Sequence, residues 1–292
     1  MPKKYAAIDI GSNAARLLIG EIAKENGHPY VKKISYTRLP LRLGEEVFDT
    51  GEISIKKADD FIKTMKAFRL IADIFNVSAI RACATSAMRD AKNGPEIIQQ
   101  IKRSTGIQIE TISGDEEARL IFGTFALLDI ERSESYLVID VGGGSTEINV
   151  FEHGKRVAAK SFDIGTVRML KDKVDKRGWK EMKLWIKEHV EDNPHLVYAT
   201  GGNINKIHKL LGVKEKSPVT LRAMNKLYNE LQPLSVGQRM DRYQLKPDRA
   251  DVIVPALEIF RFCMIALKCK EMYVPKIGLS DGIVYDLHKK RV

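Results

Sequence analysis

Residues 7–19, AIDIGSNAARLLI, and residues 138–150, VIDVGGGSTEINV, carry one device twice. In each, an apolar run ends on an aspartate (Asp9, Asp140). One apolar residue and a glycine follow, then small polar residues and a second apolar run. Two strands joined by a glycine-bearing turn satisfy this pattern, because the apolar runs bury and the turn needs residues without bulk. A soluble chain that opens such a hairpin near its start, and again near its middle, is expected to fold as two related α/β halves.

The residues between and after the hairpins support that division. SIKKADDFIKTMKAFRLIADIF places Ala58, Phe61, Ile62, Met65, Phe68, Ala72 and Phe75 on one helical face. VSAIRAC is a short buried strand, and the segment from Pro95 to just before Gly106 is a helix with proline at its start and glycine past its end. IQIETIS alternates as a strand, and GDEEARLIFGTFALLDI resumes the helical period. The second hairpin turns at His153-Gly154, and helices are predicted at 165–174 and 179–190. The strand LVYAT precedes Gly201-Gly202 and another helix, and a long buried helix follows Pro247. MYVPKIG is a last strand and DGIVYDLHKK a last helix. The expected domains are residues 1–128 and 129–292, joined by a helix packed across both halves. The last helix is expected to pack back on the first domain.

Composition narrows the function classes. A hydrophobic content of 44% over 292 residues supports two cores. No apolar run is long enough for a bilayer, and no segment resembles a signal peptide, so a cytoplasmic protein without membrane partners is expected. Cys83, Cys263 and Cys269 form no CxxC pair, and no histidine sits in metal-ligand spacing. The net charge of +10 fits either solvated helix faces or a polyanionic partner. No zinc finger, aromatic RNA-binding motif or basic tail points to nucleic acid.

The hairpins themselves suggest the chemistry. A glycine turn exposes backbone N–H groups that cradle phosphate oxygens. Ser12, Asn13, Gly142, Gly143, Gly144, Ser145 and Thr146 are the candidate donors. Asp9 and Asp140, at strand ends, suit a divalent cation, held directly or through water. The same glycines also serve a plain tight turn or bulge. Neither the P-loop spacing nor the Rossmann fingerprint is present.

A more specific resemblance then emerges from DIGSNAARLLI (9–19), ATSAMRDAKN (84–93), ISGDEEARLIF (112–122), VIDVGGGSTE (138–147), GTVRM (165–169), TGGN (200–203) and DRADVI (248–253). In this order the segments resemble the exopolyphosphatase / guanosine pentaphosphate phosphohydrolase family of the actin, Hsp70 and sugar-kinase superfamily. The resemblance extends over nearly the whole chain. It implies two actin-like, ribonuclease H-like domains with a cleft between them. It also implies release of the terminal phosphate of inorganic polyphosphate with Mg²⁺, or the same chemistry on guanosine pentaphosphate.

By this resemblance Glu117 is the base that orients water and Arg89 is the cleft arginine that contacts phosphate. Asp140 and Glu147 help place Mg²⁺, with Asp9 a further candidate. Asp115 and Glu116 have an ordinary use as helix N-terminal charge, and Ser113 to Glu116 fits a capping box. Arg16 either faces the cleft or alternates to solvent. Gly201-Gly202 opens a helix, which suits an anion as well as a plain helix start. Arg168 and His208 are weaker phosphate contacts, and Arg249 serves equally as an ion-pair partner of Asp251.

Two departures bear on substrate. The family's Gly-Thr-Gly-Gly-Thr is Ala199-Thr200-Gly201-Gly202-Asn203 here, and its Gly-Leu-Arg-Glu-Gly is Gly278-Leu279-Ser280-Asp281-Gly282. Longer members carry a C-terminal helical domain that these 292 residues do not include, so shorter polyphosphates or other small anhydrides are expected as substrates. Readings of another class are a kinase or ATPase, disfavoured by SGDEEAR, and a polyphosphate or alarmone sensor without turnover. The domain pair permits an isologous homodimer.

Overall fold

The computed structural model describes residues 2–25, 27–125, 127, 135–190 and 196–290. In chain order the elements are β1 (Tyr5–Ile10), β2 (Ala15–Glu25), β3 (His28–Leu39), α1 (Leu43–Thr50), α2 (Ile55–Ile74), β4 (Ala79–Ala84), α3 (Ser86–Asp90), α4 (Gly94–Thr105), β5 (Ile109–Thr111) and α5 (Gly114–Phe125). They continue with β6 (Tyr136–Val141), β7 (Thr146–Glu152), β8 (Lys155–Phe162), α6 (Thr166–Leu170), α7 (Lys176–His189), β9 (Leu196–Thr200), α8 (Gly202–Leu210), β10 (Val219–Thr220), α9 (Leu221–Leu231), α10 (Val236–Tyr243), α11 (Pro247–Ala250), α12 (Ile253–Ala266), β11 (Glu271–Met272) and α13 (Leu279–Lys289). The chain divides into two compact units, Met1–Ile130 with Ile277–Val292, and Glu131–Lys276. The boundary after residue 128, where a joining helix is expected, lies outside the described residues.

The first unit is built on a five-stranded mixed sheet in the order β3-β2-β1-β4-β5. The hairpin strands pair antiparallel, while β1, β4 and β5 run parallel. All six residues of β1 are buried, as a strand covered on both faces requires. Phe61, Met65, Phe68 and Ala72 of α2 are buried, along the face that its period selects. Helix α13 packs on β1, β2 and α5, so the end of the chain completes the unit that its beginning started.

The second unit repeats the plan with a four-stranded sheet, β8-β7-β6-β9. Its core joins Leu137, Ile139, Ile148 and Val150 of the sheet to Ile204 and Ile207 of α8 and to Leu257, Phe260 and Met264 of α12. The β7–β8 turn uses His153 and Gly154, both with positive φ, as a tight two-residue hairpin demands.

Several boundaries differ from the sequence expectation. The long helix after Pro247 is two helices, α11 and α12. A continuous helix would need an N–H from Pro255 to the Asp251 carbonyl, which proline lacks. The helix expected at 165–174 stops at Leu170, and Asp172 takes a left-handed conformation soon after. The next begins at Lys176, where the Asp175 side chain accepts from the Gly178 N–H. The last strand is reduced to Glu271–Met272, with a single bridge from Tyr273 to Tyr198.

Candidate active site

Each unit carries one hairpin tip, and the two tips share a backbone. The Gly11 N–H donates to the Ala14 carbonyl at 3.1 Å, and the Gly142 N–H donates to the Ser145 carbonyl at 2.9 Å. In both, the next helix backs the turn. Arg42 and Gly44 donate their N–H groups to the carbonyls of Asn13 and Ser12. Thr166 and Val167 donate theirs to the carbonyls of Gly142 and Gly143. The approach is close enough to require glycine on the backing helix. A Cβ at Gly44 would lie 2.9 Å from that of Ser12, and one at Gly165 would collide with the backbone of Gly143 and Gly144.

This packing sorts the predicted phosphate donors. Among the described residues no acceptor takes the N–H of Gly143 or Gly144, although Gly144 is buried. Those two groups are available to an anion. Two of the tip hydroxyls, those of Ser12 and Thr146, bond within the protein. Thr146 Oγ1 donates to the Ile164 carbonyl at 2.6 Å. Ser12 Oγ pairs with Ser86 Oγ at 2.9 Å. Ser145 and Asn13 are buried beside their glycines. Arg168 Nε donates to the Gly144 carbonyl at 2.7 Å, so this arginine clamps the loop.

Strand register decides what faces each aspartate. In the first unit Asp9 lies opposite Arg16, and Arg16 Nη1 donates to Asp9 Oδ2 at 2.6 Å. Of the two directions open to Arg16, it takes the face of Asp9. In the second unit Asp140 lies opposite Glu147, on the same face of the sheet, and both are buried. Two carboxylates directly opposite repel unless a cation or a proton lies between them. The pair therefore suits Mg²⁺, which is bound through one or two carboxylates together with water and substrate phosphates. No larger group of acidic, histidine or cysteine ligands gathers among the described residues. Asp9, already held by an arginine, is a poorer ligand.

Gly201 seats Asp140. With φ at +100°, it is the N-cap of α8, and a Cβ there would lie 2.6 Å from Asp140 Oδ1. Arg249 Nη1 donates to Asn203 Oδ1 at 2.9 Å, so it reaches the first turn of the same helix. His208 is buried, and burial followed by the charge of Lys276 lowers its pKa below the usual histidine value.

Glu117 stands on the first turn of α5. The Ser113 carbonyl accepts the Glu117 N–H and Ser113 Oγ accepts the Glu116 N–H, which is the serine half of the expected capping box, while the Glu116 carboxylate turns to arginines instead. Glu116 is drawn into ion pairs. Its carboxylate takes Arg119 Nε at 2.6 Å and Arg81 Nη2 at 3.1 Å, and its pKa falls to about 2, chiefly through Arg119. Asp286 of α13 accepts from Arg81 and Arg119 in the same network. Arg89 of α3 is half-buried, and its Nη1 donates to the Ile112 carbonyl at 2.7 Å, just before Ser113. Arg89 thus bonds to the turn at Ile112–Ser113 from which the helix of Glu117 starts.

A sequence profile described as the Ppx/GppA phosphatase family matches residues 22–291. The chain belongs to the Ppx/GppA phosphatase family. This family member is 25% identical over 302 aligned residues to Exopolyphosphatase 1 of Mycobacterium tuberculosis, covering 96% of this chain and 87% of that protein. It is 27% identical to the guanosine-5'-triphosphate,3'-diphosphate pyrophosphatase of Aeromonas salmonicida, covering 97% of this chain and 59% of that protein. Its fold matches the crystal structure of an exopolyphosphatase from Cytophaga hutchinsonii with a TM-score of 0.83 at 22% identity, over 99% of this chain and 98% of that one. The two-domain α/β class is thereby the family's own.

Residues missed at the sequence level are those that act through partners. Gly44, Gly165 and Gly282 permit close approaches, and Ser161 donates to Glu147 Oε1 at 2.7 Å. Only the register reveals Ser161, because it lies directly opposite Glu147 on β8.

Proposed function

We propose that this Ppx/GppA protein hydrolyses the terminal phosphoanhydride of inorganic polyphosphate. The observation that carries the reading is the buried Asp140–Glu147 pair beside a glycine tip whose Gly143 and Gly144 N–H groups have no acceptor among the described residues. A cation and an anion are both provided for within one hairpin. The name of the mycobacterial relative supports the substrate class.

Asp140 and Glu147 would hold Mg²⁺, which when bound would offset the charge on the phosphate oxygens. The N–H groups of Gly143 and Gly144 bind phosphate oxygens, and Arg89 stabilises charge as it develops. Glu117 takes a proton from water as the water oxygen bonds to the terminal phosphorus and the bridging P–O bond breaks. The products are orthophosphate and a chain shorter by one phosphate. The formal charge of +10 favours capture of such a polyanion.

The Aeromonas relative supports a second reading, guanosine pentaphosphate as substrate, with the same residues in the same roles. The test is phosphate release with Mg²⁺ from short polyphosphate, long polyphosphate, guanosine pentaphosphate and ATP, beside Glu117→Gln. Turnover of polyphosphate is expected to fall by about 10²–10⁴-fold in the variant, the usual contribution of a general base. Faster turnover of guanosine pentaphosphate would transfer the assignment to the second reading. Binding of polyphosphate without any turnover would replace both with a sensor.

A further inference from the structure

We infer that Ser161 and Thr200 are positioning residues that flank the carboxylate pair and set its affinity for the divalent cation. The inference rests on the reading of Asp140 and Glu147 as cation ligands and goes beyond it to the residues on either side.

Register places four side chains in one row across the sheet of the second unit. Ser161 lies opposite Glu147, Glu147 opposite Asp140, and Asp140 opposite Thr200. Residues paired in register project from the same face. The row therefore runs hydroxyl, carboxylate, carboxylate, hydroxyl. Ser161 Oγ donates to Glu147 Oε1 at 2.7 Å, which fixes that carboxylate. Thr200 is only 1% exposed, yet its Oγ1 has no hydrogen-bond partner among the described residues. A buried hydroxyl without a partner is destabilising, and native proteins keep few of them. Next to Asp140, it has an occupant to meet when the cation arrives, namely a water of the cation's hydration shell. Mg²⁺ gives up its waters reluctantly, so groups that bond to those waters contribute to its affinity.

The first unit provides an internal comparison. In the corresponding row Arg38 faces Arg16, Arg16 faces Asp9, and Asp9 faces Cys83. There the aspartate is matched by an arginine, and neither end of the row is a hydroxyl. The flanking hydroxyls accompany the doubled carboxylate alone.

The test is Mn²⁺ binding to the unloaded protein, followed through the electron paramagnetic resonance signal of free Mn²⁺. Wild type, Asp140→Asn, Ser161→Ala, Thr200→Val and Thr200→Ser are compared, with thermal melting of each in chelator. Wild type is expected to bind and Asp140→Asn to lose the site. Ser161→Ala and Thr200→Val are each expected to weaken binding by about 10–100-fold, the usual cost of removing an outer-shell partner. Thr200→Ser is expected to retain it. In chelator Thr200→Val should melt no lower than wild type, because a methyl replaces an unpartnered hydroxyl. Wild-type affinity in Thr200→Val and Ser161→Ala, with the site lost in Asp140→Asn, would overturn this inference and leave the cation reading standing. Binding unchanged in Asp140→Asn would overturn both. A Thr200→Val that melts well below wild type in chelator and binds Mn²⁺ normally would make Thr200 a packing residue and overturn its part.

Discussion

Gly201 is the position where one atom decides most. A Cβ there would meet Asp140 Oδ1, and a φ of +100° is costly for any L side chain. Gly201→Ala is therefore expected to lose about 1–3 kcal/mol of stability. It should also weaken divalent cation binding, because the displaced group is the Asp140 carboxylate. Denaturant unfolding paired with a cation titration measures both. The cysteines are quiet at this scale. Burial pushes the thiols of Cys83 and Cys263 up to about 12 and that of Cys269 to about 11. Thiol reagents, which need the thiolate, are expected to label the native protein slowly at pH 8 and all three cysteines rapidly once it unfolds. Fast labelling of the native protein would contradict the burial.

At the scale of elements, α5 carries Glu117 and is held by α13. A Cβ at Gly282 would collide with the Leu120 carbonyl, so the two helices meet backbone to backbone. A helical Gly→Ala change in open space stabilises by about 1 kcal/mol. Here Gly282→Ala is expected to destabilise by about 1–3 kcal/mol and to lower kcat by shifting the turn that bears Glu117. The sign of the stability change tests the close crossing. The ion network adds a pH dependence. Arg119 first, and Arg81 after it, hold the Glu116 carboxyl at about 2, against the effect of burial. A depressed carboxylate stabilises the fold above its unfolded pKa and loses that effect as pH falls through its folded value. Wild type should thus lose stability between the ordinary carboxylate range and pH 2 more steeply than Glu116→Gln, as urea midpoints across that range would show.

At the scale of the whole molecule, charge governs the encounter. If the substrate is the polyanion proposed above, its capture by a chain of net charge +10 is screened by salt, while contacts between buried groups are screened much less. Raising ionic strength is expected to increase KM for polyphosphate with little change in kcat, and initial rates across a salt series measure this split. No helix among the described residues is long and apolar enough to cross a membrane.

Much of this was legible without coordinates, and the reason is physical. Strand and helix periods are local, so the hairpins around Asp9 and Asp140, the α2 face and the α4 boundaries at Pro95 and Gly106 follow from neighbouring residues. The family itself was legible too, because its motifs, ISGDEEARL followed by DVGGGSTE among them, are contiguous stretches of the chain. What the periods cannot carry is the partner. Whether Arg16 meets solvent or Asp9 depends on the β1–β2 register, and whether Ser161 and Thr200 flank the carboxylates depends on strands brought alongside from elsewhere in the chain. Sequence alone determined two related α/β halves, each opening on a glycine hairpin that follows an aspartate. Tertiary structure decided that one aspartate is matched by an arginine and the other by a glutamate, and that α13 returns to brace α5. Those choices are contacts between distant segments, and a pattern of neighbours records which face is buried but not against what.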